Sequence, residues 1–203
     1  QAETILFRVL RGTGTDGLAG IAYERKERGF SVIRPILDIP RKEIEEYCRE
    51  HDLKPVEDHT NHQSIYTRNK IRLELLPELE KEYNENVRGA LLRLGRIAAS
   101  DSDYLQQCAE EALQEFLRET SSDEIVLERD GLAGLHEALR HRILLQSFAR
   151  LGLASDISAE RIAAADSIIE KKQAPKTVEF PRGYRVTVAG GLVHLCAPKK
   201  RAK

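Results

Sequence analysis

A mainly α-helical chain ending in a short antiparallel β element is the fold class this sequence predicts, and three observations predict it. Between Tyr66 and Leu153 apolar residues recur every three or four positions: Val87, Leu91, Leu94, Ile97 and Ala98, then Tyr104, Leu105, Cys108, Ala112, Leu113, Phe116 and Leu117. These stripes read as core. After Thr177 the period shortens, and residues 177–180, 184–188 and 192–195 read as three strands joined by Pro181-Arg182-Gly183 and Ala189-Gly190-Gly191. With 203 residues, 41% of them apolar and 32% charged, the chain can bury at least one sizeable core, so one or two domains are expected.

Taken in order, Ile5, Leu6, Val9 and Leu10 fall at helical spacing, and the run Arg11-Gly12-Thr13-Gly14-Thr15-Asp16-Gly17-Leu18-Ala19-Gly20 ends that helix in a glycine-rich loop. Such glycines permit positive φ and close backbone approach, which suits a loop over a nucleotide or a nucleic-acid backbone and equally suits an ordinary connector. The loop is not a Walker loop, lacking Gly-Lys-Ser/Thr, and its position after a helix excludes the dinucleotide fingerprint. Residues 30–37 read as a short strand interrupted by Pro35, and a helix with Ile44, Tyr47 and Cys48 on one face starts at Pro40. The polar stretch 57–64 reads as a capped loop in which Asp58 can orient an arginine of the next helix. That helix carries Arg68 and Arg72 one turn apart, in line with Leu75 and Leu79, with Asn69 beside them and Pro77 expected to bend or end it. Guanidinium groups aimed this way fit a phosphate or a carboxylate through paired charge-assisted hydrogen bonds. Further on, residues 124–128 read as an edge strand or extended link. Leu135 to Phe148 form a helix stopping at Gly152, and Ser158 caps a last one carrying Ile162, Ala165, Ile168 and Ile169. His136 and His141 read as structural or solvent-facing.

Composition excludes several classes. Cys48, Cys108 and Cys196 are odd in number and widely spaced, which disfavours a disulfide framework, a cysteine zinc site and an iron–sulfur cluster. His51, His59 and His62 match no familiar metal spacing, so no metal site is expected. No apolar run reaches the roughly 20 residues a membrane helix needs, and no secretion signal opens the chain, so the expected location is the cytoplasm. The absence of Met, even at position 1, suggests a fragment. Lys and Arg against Asp and Glu number 13 and 13 in residues 1–75, 10 and 19 in 76–170, and 9 and 1 in 171–203. An acidic middle with a basic end is the pattern expected when selected surfaces meet a polyanion, although solubility alone also accounts for it.

Jointly, several stretches resemble a known family. Gln1-Ala2-Glu3-Thr4 with Arg8, the run from Arg11 to Gly20, Arg34-Pro35-Ile36-Leu37, Glu57-Asp58-x-Thr60-Asn61 and Tyr66-Thr67-Arg68-Asn69-x-Ile71-Arg72 stand in the order and spacing of the tRNA(Ile)-lysidine synthases, members of the PP-loop ATPase superfamily. Phe180-Pro181-Arg182-Gly183-Tyr184 resembles them again. The resemblance implies that residues 1–80 are the end of a truncated α/β PP-loop catalytic domain and that 81–203 are a helical tRNA-binding domain. It implies an ATP-dependent ligase, with Mg2+, that adenylates the wobble cytidine of CAU-anticodon tRNA(Ile) and then attaches L-lysine. Glu3 with Arg68 or Arg72 would be catalytic, the choice between the arginines staying open. Arg8, Arg11, Gly12 and Gly14 would meet RNA or nucleotide, and Asp58, Asn61 and Asn69 would support the site. A homodimer is compatible with it. The superfamily's Ser-Gly-Gly-x-Asp-Ser loop is missing, so residues 1–203 alone are expected to be inactive. Two other readings stay open: a tRNA-thiolating enzyme of the same superfamily, and a non-catalytic RNA-binding scaffold.

Overall fold

The structure is a computed structural model and describes residues 1–27, 29–56, 67–171 and 176–198. The chain divides into two compact units, Gln1–Ser102 and Asp103–Lys203.

In the first unit, α1 (Ala2–Leu10) buries Ala2, Ile5 and Leu6, as its periodicity predicts. The glycine-rich loop contains one further turn, α2 (Thr15–Leu18). Two short strands, β1 (Glu24–Glu27) and β2 (Phe30–Ile33), form an antiparallel hairpin whose tight return uses Gly29 at φ +89°. The strand expected over residues 30–37 therefore stops at Ile33, before the proline. Helix α3 (Arg41–Glu50) starts after Pro40 as expected and buries none of its residues.

The next helix departs from expectation. It begins as α4 (Thr67–Lys70), widens into a π-helical turn over Ile71–Leu75, and continues as α5 (Leu76–Glu82). Pro77 neither ends nor frays it. A proline in a helix lacks its N–H and pushes on the carbonyl four residues back, here Leu73; the wider turn that contains Leu73 accommodates both. Leu6, Ile71 and Leu76 make a small core, with Phe7, Leu75, Leu79, Val87 and Leu91 packed against it.

Helix α6 (Val87–Phe116) joins two expected stripes in one 30-residue helix. Ile97 and Tyr104, expected in the core, are 62% and 67% exposed. Of the same stripes Ala98, Ala112 and Leu113 are buried as expected, joined by Ala109; helical periodicity marks a face without saying how much of it is covered.

The second unit holds a five-stranded antiparallel sheet ordered β3-β4-β7-β6-β5. Its strands are β3 (Leu117–Thr120), β4 (Glu124–Glu128), β5 (Lys176–Glu179), β6 (Arg185–Ala189) and β7 (Leu192–Cys196). The three terminal strands are thus present, within a larger sheet. The edge or link expected at 124–128 is an interior strand, paired with both β3 and β7. Ile125, Val126 and Leu127 are all buried, so the alternation that betrays a half-exposed strand is absent. Inward side chains of the sheet meet α7 (Arg129–Ala133), α8 (Glu137–Arg150) and α9 (Ala159–Glu170) in one core that contains Leu127, Ile143, Phe148, Ile169, Val186 and Leu195. Arg140 of α8 crosses to Asp166 of α9 with two hydrogen bonds of 2.5 and 2.9 Å, both groups buried. His136 is a helix cap, its Nδ1 accepting the Ala138 N–H. Gly152, at φ +97°, ends α8. The mainly α class with a terminal antiparallel element is the observed one.

Candidate functional site

Helix α1 and the α4–π segment pack through Leu6 and Ile71, and this contact sets three charged side chains together. Arg72 donates from Nε to Glu3 Oε1 at 2.9 Å and from Nη2 to Glu3 Oε2 at 2.8 Å, a two-pronged guanidinium–carboxylate pair. Arg68, one turn earlier, donates from Nη2 to Thr4 Oγ1 at 3.1 Å, and its Nε stands 4.0 Å from Glu3 Oε2. The side chains of Glu3, Arg72 and Arg68 are 20%, 36% and 58% exposed. Burial pushes the Glu3 carboxyl up, but the Arg72 hydrogen bonds and the charges of Arg72 and Arg68 together outweigh it and hold Glu3 below the usual carboxylate range. The same bond to Glu3 raises Arg72. The two arginines therefore differ in their contacts. Arg72 spends its fork on fixing an ionised Glu3, while Arg68 faces outward with donors to offer.

A cleft of about 570 Å³ opens beside them, lined among others by Thr4, Phe7, Arg8, Arg11, Gly12 and Arg68. Arg8 lines it and also donates from Nη1 to the carbonyls of Gly17 and Gly20, at 2.9 and 2.6 Å, so it pins the glycine-rich loop. Gln1 ties the far end of that loop through Nε2 to the Ile21 carbonyl and Oε1 to the Ile21 N–H, at 2.7 and 2.8 Å. Ser102 Oγ donates to Asp16 Oδ1 at 2.5 Å. The Arg11 guanidinium lies 5.2 Å from the Phe7 ring centroid. Gly12, which lines the cleft, adopts φ +74°, and a Cβ at Gly12 or Gly14 would meet no heavy atom within 4 Å, so the near limb of the loop is uncrowded. A carboxylate held ionised, an outward guanidinium and a cationic rim can grip a molecule that carries both an ammonium and a phosphate or carboxylate.

The fold thus brings Glu3, Arg68, Arg72, Arg8, Arg11 and Gly12 together in one unit. Asn69 is half-buried on α4. Asp58 and Asn61, with His59 and His62, lie outside the described residues. Among the described residues no group of three His, Cys, Asp or Glu is placed to hold a metal ion, and no helix is long and apolar enough to cross a membrane. Thr4, Phe7 and Thr67 were not legible as site residues. For Thr4 and Phe7 the signal is their spacing with Arg8 and Arg11, at i, i+3, i+4 and i+7 along α1 and its C-cap, which puts a mixed polar and aromatic stripe beside the apolar one; Thr67 has no such signal.

Comparison with known proteins finds two family matches and several relatives. Residues 1–79 match the model of the PP-loop domain, and residues 127–191 match that of the TilS substrate binding domain. The chain is 38% identical over 187 residues to the tRNA(Ile)-lysidine synthase of Clostridioides difficile, covering 92% of this chain and 40% of that protein. It is 35% identical over 196 residues to that of Clostridium tetani, covering 96% and 41%. For the protein of the same name from a Nostoc species the figures are 32% over 214 residues, 100% and 62%. The chain spans about two fifths of the length of the first two of these relatives.

Proposed function

Because this chain is a relative of the tRNA(Ile)-lysidine synthases along more than nine tenths of its own length, we propose that it is part of an ATP-dependent ligase that joins lysine to the wobble cytidine of CAU-anticodon tRNA(Ile). The observation that carries this reading is the two-pronged Glu3–Arg72 pair with the more exposed Arg68, 4.0 Å from Glu3, lining the cleft beside it.

The reaction needs two things from the protein. A lysine amine must be held beside the cytidine, and negative charge must be offset where phosphate leaves. ATP, when bound, would supply the adenylyl group that makes the cytidine C2 oxygen a leaving group. Glu3, kept ionised and oriented by Arg72, accepts hydrogen bonds from the lysine amino group or the target base; after the ammonium loses a proton to solvent, the neutral amine attacks C2, AMP departs with the oxygen, and the proton left on the new C–N nitrogen passes to solvent. Arg68 stabilises the phosphate charge, a role in which a preorganised donor is worth about 3–4 kcal/mol of barrier. Arg72 is a positioning residue, acting through Glu3. Arg8, Arg11, Gly12 and Gly14 form the entrance for nucleotide or RNA, and Asn69, Asp58 and Asn61 support the site. The cationic rim fits the phosphates of ATP. Among the described residues no group of three His, Cys, Asp or Glu is placed to hold Mg2+. In this reading residues 1–80 belong to the catalytic domain, residues 81–203 to the substrate-binding domain, and the protein works in the cytoplasm.

The test is a comparison of Michaelis constants at the full length of the relatives. Glu3→Gln should raise KM for lysine about tenfold or more and leave KM for tRNA nearly unchanged. An equal rise in both would remove Glu3 from the lysine site.

A further inference from the structure

The turn between β5 and β6 is held by its two ends. Phe180 packs on Phe148 with ring centroids 4.4 Å apart, and Tyr184 donates its hydroxyl to the Leu151 carbonyl at 2.9 Å. The Phe180 N–H donates to the Tyr184 carbonyl at 2.8 Å, closing the loop over Pro181, Arg182 and Gly183. At the apex Arg182 is forced to φ +59°, a left-handed conformation that glycine or asparagine adopts at little cost and arginine does not. Its guanidinium, 60% exposed, donates from Nη2 to Asp156 Oδ2 at 2.6 Å. Asp156 is itself left-handed at φ +67° and 62% exposed. Arg182 thus holds an unfavourable backbone conformation and returns one solvent-exposed ion pair, the weakest kind, to an Asp156 whose residue type tolerates its own left-handed backbone. Stability alone gives no reason for arginine at 182. Strain that the surroundings over-determine tends to mark a working site.

Three further observations say what it works on. Arg161, in the first turn of α9, sends its guanidinium to the Glu179 carbonyl at the end of β5, just before the turn. The segment 171–203 carries 9 Lys and Arg against 1 acid, although the preceding 95 residues are acidic, with 10 against 19. The turn lies inside the residues that match a substrate binding domain. We propose that Arg182 contacts a backbone phosphate of the bound RNA, with Arg161 beside it, and that Asp156 holds the guanidinium in place until phosphate replaces it. A carboxylate and a phosphate present the same pair of acceptor oxygens to the guanidinium fork, so the exchange needs little rearrangement. The proposal rests on the RNA reading above.

The test uses residues 1–203 with a CAU-anticodon tRNA(Ile) transcript, measuring binding against salt concentration. Arg182→Gly relieves the backbone strain while deleting the contact. It should unfold at the same denaturant concentration as the parent or higher, weaken tRNA binding about eightfold at 0.1 M salt, and lower the salt slope by about 0.9. Asp156→Asn, which tolerates the left-handed backbone, should bind tRNA more tightly than the parent. Unchanged affinity and slope in Arg182→Gly, or weaker binding in Asp156→Asn, overturns this contact and leaves the tRNA reading standing. A parent chain that binds no tRNA overturns both.

Discussion

Glu3→Gln and Arg72→Met, made singly and together, should reveal a coupling of about 1–2 kcal/mol in urea unfolding at neutral pH. Two charge-assisted hydrogen bonds of 2.8 and 2.9 Å join the pair. Fully buried, each would be worth about 1.5–3 kcal/mol, and a fully exposed ion pair gives about 1 kcal/mol or less. Glu3 is 20% and Arg72 36% exposed, so solvent screening on the arginine side brings the expectation down to the range given. Methionine retains much of the arginine's apolar stem, which limits the loss of packing. The pH dependence has a definite sign. The folded-state value of Glu3 is lowered below its ordinary 4.5, so its stabilisation is fully present above that value and disappears as pH falls through the lowered one. The parent and Glu3→Gln should therefore differ most near neutrality and converge in acid. Additive single effects, with a coupling under about 0.3 kcal/mol, would refute the reasoning, as would a parent-to-variant difference that does not change with pH.

Three other outcomes are expected. Arg68→Ala should change unfolding stability by no more than about 0.5 kcal/mol, because its side chain is 58% exposed, yet lower the ligation rate about 10²- to 10³-fold in single-turnover assays. Gly20→Ala should cost about 1–2 kcal/mol by thermal unfolding: the residue sits at φ +74°, and a Cβ there would come within 2.7 Å of Gln1 Oε1, the atom that accepts the Ile21 N–H. Arg140→Ala should cost about 3–5 kcal/mol in the same assay, since it leaves Asp166 buried without its guanidinium, a much larger loss than the Arg68 change.

How much was readable follows from which signals are local. Helices α1, α6, α8 and α9 announce themselves because each buries one stripe, and Gly152 stops α8 where a left-handed residue is needed. The β6 and β7 strands alternate because one face is covered and the other is half open. β4 hides its nature by burying Ile125, Val126 and Leu127 on both faces, and its interior place depends on β7, which follows it by more than sixty residues. β1 carries Glu24, Arg25, Lys26 and Glu27, a run with no apolar alternation at all, and forms only through pairing with β2. The π turn answers a visible proline, but a widened turn is one of several ways to accommodate Pro77. In the site, Arg68 and Arg72 were legible as a one-turn pair, whereas their different contacts were not. That difference is set by Glu3 approaching Arg72 from 69 residues away in sequence, a tertiary contact that helical spacing cannot encode.

The most direct measurement is transfer of radiolabelled lysine to CAU-anticodon tRNA(Ile) in the presence of ATP, by the protein at the full length of its relatives. Label incorporated in strict dependence on ATP, and lost in Arg68→Ala with the fold intact, is the result expected. Tight tRNA binding without any lysine transfer would contradict it and leave an RNA-binding scaffold or a thiolating enzyme in its place.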